Sequence, residues 1–176
     1  MCITSLSTLL QGIAPVPSVF DVTIHGLKTD SRDVRSGDAF VALAGARTPA
    51  DHYIEQAIGA GATVILLESA QPDECYEHEG VLIVPVTALR AHLGKIADRF
   101  FEHPSQRLRL IGVTGTNGKT SVSHYIATLL QETGTPCGVV GTLGYGMPGA
   151  LQEGAHTTPD VVQINRVLSN IIAQGG

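Results

Sequence analysis

Apolar residues along the chain fall into short unbroken runs that alternate with amphipathic stretches. "AFVAL" (39–43) is such a run, of the length of a buried strand. "ADHYIEQAIGAGA" (50–62) instead spaces Tyr53, Ile54, Ala57 and Ile58 at helical intervals, with Gly59 and Gly61 near its end. "TVILL" (63–67) is a strand by its β-branched content, and "VLIV" (81–84) is another, ended by Pro85. The polar "QPDECYEHEG" (71–80) between them reads as a loop. Strand, helix, strand in that order predicts a small α/β domain with parallel pairing.

The second half repeats the alternation. In "TALRAHLGKIADRFFEHP" (87–104), Leu89, Leu93, Ile96, Ala97 and Phe100 share one helical face, and Pro104 closes the segment. "LRLIGV" (108–113) has the apolar character of a central parallel strand. Val122, Tyr125, Ile126, Leu129 and Leu130 make the apolar face of a helix that Gly134 stops. "CGVVG" (137–141) is the next strand, followed by a glycine-rich loop. In the last helix Thr158 is the expected N-cap, Pro159 the N1 residue and Asp160 a first-turn acid. Val161, Ile164, Val167, Leu168 and Ile171 form its stripe.

These elements predict an α/β fold in two parts. Residues 1–86 form a small N-terminal domain, and residues 87–176 open a parallel-sheet domain of the P-loop type. The second part has too little sheet to cover both faces of a doubly wound fold. Its last helix runs into Gly175-Gly176, where a further strand is expected.

Composition narrows the function classes. A hydrophobic fraction of 43% and a charged fraction of 15% describe a globular chain. A formal net charge of −5 argues against a general nucleic-acid binder, which needs a basic face. No apolar run reaches the ~20 residues of a membrane span. The opening "MCITSLSTLLQGIAPVPSVF" lacks the basic start of a signal peptide. The three cysteines, Cys2, Cys75 and Cys137, are widely spaced and read as free thiols of a cytoplasmic protein. The seven histidines show no metal-ligand spacing with a cysteine or with one another.

The chemistry concentrates in "GVTGTNGKTS" (112–121), between a predicted strand and a predicted helix. Gly115 and Gly118 let backbone N–H groups approach a polyphosphate without a Cβ clash, and the helix N-terminus adds its positive end. Lys119 would reach the β and γ phosphates and Thr120 would place its hydroxyl on Mg²⁺. The pattern is not the usual G-x-x-x-x-G-K-[ST], because Val113 stands where the first glycine would be. The competing reading is a glycine-rich turn with an exposed lysine.

"GVTGTNGKTS" resembles the ATP loop of the Mur ligases, the amide-forming enzymes of peptidoglycan precursor synthesis. "TDSRDVRSGDAFVALAGARTPADHYIEQAIGAGATVILLE" (29–68) resembles their N-terminal domain, and "FFEHPSQRLRLIGVTGTNGKT" the entry to their central domain. "GTLGYG" followed by "TTPD" is most similar to the branch that adds the third residue of the peptide stem. That resemblance implies UDP-N-acetylmuramoyl-L-alanyl-D-glutamate as substrate, with a diamino acid, meso-diaminopimelate by prevalence, as the incoming amine. ATP and Mg²⁺ would convert the D-glutamate carboxylate to an acyl phosphate, which the amine attacks.

By the same resemblance Gly115, Thr116, Asn117, Gly118, Lys119, Thr120 and Ser121 hold ATP. Lys119 and Thr120 are the catalytic pair, with Thr120 on the metal. Thr29 and Ser31 hold the uridine end, and Ala46, Arg47 and Thr48 form a loop that also touches it. His156, Thr157 and Thr158 contact the muramoyl-peptide portion, although His156 stands where many relatives have Asn. Simpler roles stay open: Asp30 and Ser31 as turn or cap residues, Arg47 as a solvated charge, Thr157 to Asp160 as a helix start. A sibling ligase, of the branch that completes the stem or of the folylpolyglutamate synthase type, or a non-catalytic nucleotide-binding module, would share several motifs. The relatives carry further strands, a C-terminal domain and a carbamylated lysine not found here. Residues 1–176 are therefore expected to be inactive alone.

Overall fold

The computed structural model describes residues 3–43, 50–71, 73–152 and 159–176. They form two compact units, Met1–Phe100 and Phe101–Gly176. Among the described residues no helix is long and apolar enough to cross a membrane.

The first unit opens with β1 (Thr4–Ser5), α1 (Leu6–Leu10), β2 (Thr23–Ile24) and β3 (Gly26–Lys28). β1 and β2 pair antiparallel. α1 has only five residues, too few to be stable alone, and is held by caps and burial. The Ser5 Oγ accepts from the Thr8 N–H at 3.2 Å. The Asp21 carboxylate accepts from the Ser7 N–H at 2.8 Å and the Ser7 hydroxyl at 2.7 Å. At the other end Arg99 donates to the carbonyls of Leu9 and Gln11. Leu6, Leu9 and Leu10 are fully buried.

After a 3-10 turn at Ser31–Asp33 the chain continues as β4 (Asp38–Ala42), α2 (Ala50–Gly59), β5 (Val64–Ser69), β6 (Tyr76–His78), β7 (Val81–Thr87) and α3 (Leu89–Phe100). One sheet runs β3-β4-β5-β7-β6. The first four strands are parallel, as the strand–helix–strand order predicts. Ile65, Leu66, Ile83 and Val84 are fully buried in it, each contributing about 1.5–3 kcal/mol over exposure. α2 closes with the Gly61 N–H on the Ile58 carbonyl and the Ala62 N–H on the Ala57 carbonyl.

Four features depart from the sequence reading. β7 does not stop at Pro85 but runs through it to Thr87. Pro85 pairs with Leu67 on one side, while β6 reaches only Val81–Ile83 on the other, so the missing N–H forfeits no ladder bond. Residues 76–78 are an antiparallel edge strand rather than loop, turned by Glu79 and Gly80 at φ 50° and 79°. Asp38, which by its place after Gly37 reads in the sequence as a turn residue, is a buried strand residue. Its carboxylate accepts from the Arg35 N–H at 3.0 Å and lies 3.9 Å from the Lys28 ammonium. It also fixes Gly26, where a Cβ would stand 2.1 Å from Asp38 Oδ1. Finally, the division between units falls after Phe100 and not after residue 86. The predicted face Leu89, Leu93, Ile96, Ala97 and Phe100 is buried as expected, and α3 packs on β5 and α1 of the first unit.

The second unit contains α4 (Pro104–Arg107), α5 (Lys119–Glu132), β8 (Val139–Gly141), β9 (Gly144–Gly146) and α6 (Val161–Ala173). Pro104 starts α4 rather than only ending α3, with His103 left-handed before it. Residues 108–113 are not a strand: no ladder partner lies beside them among the described residues, and Leu110 and Ile111 are each 60% exposed. The expected apolar face of α5 is likewise open, with Tyr125 69% and Leu129 63% exposed and Ala127 its buried residue. β8 pairs antiparallel with β9 across Thr142-Leu143, where a parallel strand and a loop were expected. A small core joins Tyr145, Val167 and Ile171. α6 is capped by Asp160, whose carboxylate accepts from the Gln163 N–H at 2.7 Å. The N-cap is therefore Asp160 and not Thr158.

Candidate functional site

The first unit carries a cleft of about 500 Å³ at the carboxyl ends of β3 and β4, the end of a parallel sheet where loops converge and ligands bind. Phe40, Val41, Ala42 and Leu43 supply its apolar wall, and Thr29 to Arg32, just after β3, its polar rim. Tyr53 and Gln56 come from α2. Ser31 is 3% exposed, and its hydroxyl donates to Gln56 Oε1 at 2.7 Å. Asp30 caps the 3-10 turn through the Arg32 N–H and grips the Arg32 guanidinium. That ion pair holds the Arg32 pKa above its ordinary value.

Sequence reasoning found Thr29 and Ser31 but missed Tyr53, Gln56 and Phe40. A local signal existed for two of them. Tyr53 and Gln56 are three residues apart on α2, on a side separate from the buried Ile54 and Ala57.

The second unit carries the glycine loop. Gly118 is the N-cap of α5 at φ 77°, with no side chain capping the helix. Such a cap leaves the first-turn N–H groups for an anion, and the left-handed backbone favours glycine. Gly115, at φ 149°, is extended on the positive side. Lys119 folds back over the loop, donating to the Gly115 carbonyl and, at 3.2 Å, to the Thr116 carbonyl. Thr120 Oγ1 meets Thr142 Oγ1 at 3.1 Å. A glycine-lined, uncapped helix start with a lysine held on two backbone carbonyls fits a polyphosphate. The Thr120 hydroxyl is a hard oxygen donor and fits Mg²⁺.

The two predicted groups thus sit on different units: Thr29 and Ser31 on the first, Gly115 to Ser121 on the second. Ala46, Arg47, Thr48, His156, Thr157 and Thr158 lie outside the described residues, as does Cys2. Cys75 and Cys137 are free and half-buried, and burial pushes the Cys75 thiol up.

Two sequence profiles match along the chain, "Mur ligase family, catalytic domain" at residues 23–101 and "Mur ligase middle domain" at residues 113–175. The chain belongs to the Mur ligase family. It is 45% identical over 97% of its length to UDP-N-acetylmuramoyl-L-alanyl-D-glutamate--2,6-diaminopimelate ligase of Alkalilimnicola ehrlichii. The same ligase of Coxiella burnetii is 40% identical over 88% of the chain. A solved structure of a ligase of that name superposes on the whole chain with a TM-score of 0.74 at 28% identity. This Mur ligase chain spans about a third of the relatives it matches: 36% and 32% of the two sequences, 34% of the structure.

Proposed function

We propose that this chain is the substrate- and nucleotide-handling part of an ATP-dependent ligase of peptidoglycan precursor synthesis. Its acceptor is UDP-N-acetylmuramoyl-L-alanyl-D-glutamate, and the amino acid added is meso-diaminopimelate. The observation that carries this reading is the 45% identity over 97% of the chain to a ligase of that name. The cytoplasm, where ATP and such precursors meet, is the compartment it implies.

The cleft of the first unit is proposed to take the uridine end, with Thr29 and Ser31 on its rim. Ala46, Arg47 and Thr48 extend that site, Arg47 supplying a cation to the diphosphate. His156, Thr157 and Thr158 take the muramoyl-peptide portion. Gly115 to Ser121 wrap the ATP phosphates. ATP supplies the phosphoryl group that makes the D-glutamate carboxylate a good electrophile. Lys119 exchanges the Gly115 and Thr116 carbonyls for phosphate oxygens, bringing a positive charge between crowded anions. Thr120 offers its hydroxyl to Mg²⁺.

Calorimetry with the UDP-linked dipeptide and with Mg-ATP, each added separately, tests this. Both are expected to bind, Mg-ATP the more weakly. Lys119→Ala should abolish the ATP heat and leave the UDP-dipeptide heat intact. The 176-residue chain alone should make no tripeptide. Equal ATP binding by Lys119→Ala, or no heat from the UDP-dipeptide, would refute the assignment.

A further inference from the structure

We infer that Gln56, which no motif singled out, positions Ser31 and together with it reads the imide edge of the uracil base. The inference rests on the reading above that the first-unit cleft takes a uridine nucleotide.

The argument is one of hydrogen-bond direction. A serine hydroxyl has one proton and two lone pairs. Ser31 spends that proton on Gln56 Oε1 at 2.7 Å, so toward the cleft its oxygen can only accept. Gln56 has committed its oxygen to Ser31, and no bond to its nitrogen is made among the described residues. Its amide N–H groups can only donate. The cleft therefore presents an acceptor and a donor side by side, with senses fixed by their mutual bond. Uracil offers the complement, the N3–H donor flanked by carbonyl acceptors.

The surroundings fit a flat heterocycle. The wall beside the pair is Phe40, Val41, Ala42 and Leu43, and Tyr53, a residue 39% exposed, lines the same cleft. Aromatic and apolar faces favour a base over a sugar or a phosphate. The other nearby charges are committed to each other, Arg32 to Asp30. Ser31 is buried and follows β3 through a capped turn, so its oxygen is held by the backbone. Gln56, exposed on α2, sets the direction of the hydroxyl.

Calorimetry of the 176-residue chain with UDP and with N3-methyl-UDP tests this. Methylation removes the N3–H, so the parent should bind the methylated nucleotide at least about tenfold more weakly. Gln56→Leu should weaken UDP by about tenfold or more, yet weaken N3-methyl-UDP by less than about threefold, since the methyl group, besides removing the N3–H that Ser31 accepts, pushes that edge away so that its carbonyl no longer meets the Gln56 N–H. Gln56→Glu keeps an acceptor for Ser31 and removes the donor in a side chain of the same shape. It should show the same methylation-dependent pattern. If both variants weaken the two nucleotides equally, or leave UDP unchanged while the parent binds it, the inference fails and the uridine reading stands. If the parent does not bind UDP, both fail.

Discussion

The side chains of Thr120 and Thr142 are joined by a hydrogen bond, Oγ1 to Oγ1 at 3.1 Å. Thr120 is in the first turn of α5 and Thr142 in the turn between β8 and β9. The bond ties the helix that follows the glycine loop to a hairpin 22 residues away. Only one of the two hydroxyls donates to the other, so Thr142 influences what the Thr120 oxygen can offer. Thr142→Val should weaken Mg-ATP binding about three- to tenfold, the worth of one hydrogen bond. Thr120→Val should cost at least as much. Calorimetry at fixed Mg²⁺ decides, and parental affinity in Thr142→Val would exclude the coupling.

Acid stability should depend on Asp21. The Ser7 hydroxyl first, and the Ser7 N–H second, hold its carboxyl below the usual aspartate range. A lowered folded pKa means stability that is fully present above the unfolded value of about 3.9 and lost as pH falls through the folded value. Asp21→Asn should therefore be less stable than the parent at neutral pH, with the difference shrinking below about pH 4. Urea midpoints across the acid range give the answer, and a difference constant with pH would contradict it.

Gly26→Ala should destabilise the first unit by about 1–3 kcal/mol, the usual effect of overpacking. The new methyl would stand 2.1 Å from Asp38 Oδ1, in a residue only 6% exposed whose other carboxylate oxygen, Oδ2, accepts from the Arg35 N–H. Gly59→Ala is the contrast. Nothing lies within 4 Å of its new Cβ, and a helical alanine is favoured over glycine by roughly 0.5–1 kcal/mol. Denaturant titration of the two variants should move the midpoint in opposite directions.

Leu129→Gln should change the stability of this chain by no more than about 0.5 kcal/mol, as for a surface position. The side chain sits on what the sequence marks as an apolar face, yet the residue is 63% exposed. A loss of about 2 kcal/mol or more, the size of a core truncation, would mean that the face is covered in solution.

What the sequence reveals differs by element for physical reasons. α3 is legible in full because its apolar residues recur at helical spacing with no polar break, and all five are buried. β6 is not, because an exposed edge strand such as Tyr76–His78 has no face to bury and so no alternation. Residues 108–113 mislead in the other direction. Their apolar run is that of a central strand, but a ladder also needs a partner, which local composition does not specify. The glycine loop is legible because its chemistry is contiguous. The cleft of the first unit is only half legible: Ser31 lies in a motif, while Gln56 reaches it from 25 residues away, a proximity that exists only once β3, β4 and α2 are assembled.

The stretch of β7 beyond β6, where Pro85 lies, is buried, so no extended segment from another molecule can pair there. What this flank offers instead is β6, an exposed strand only three residues long that ends in His78 and turns at Glu79. Sheet growth from molecule to molecule is thereby blunted on this side.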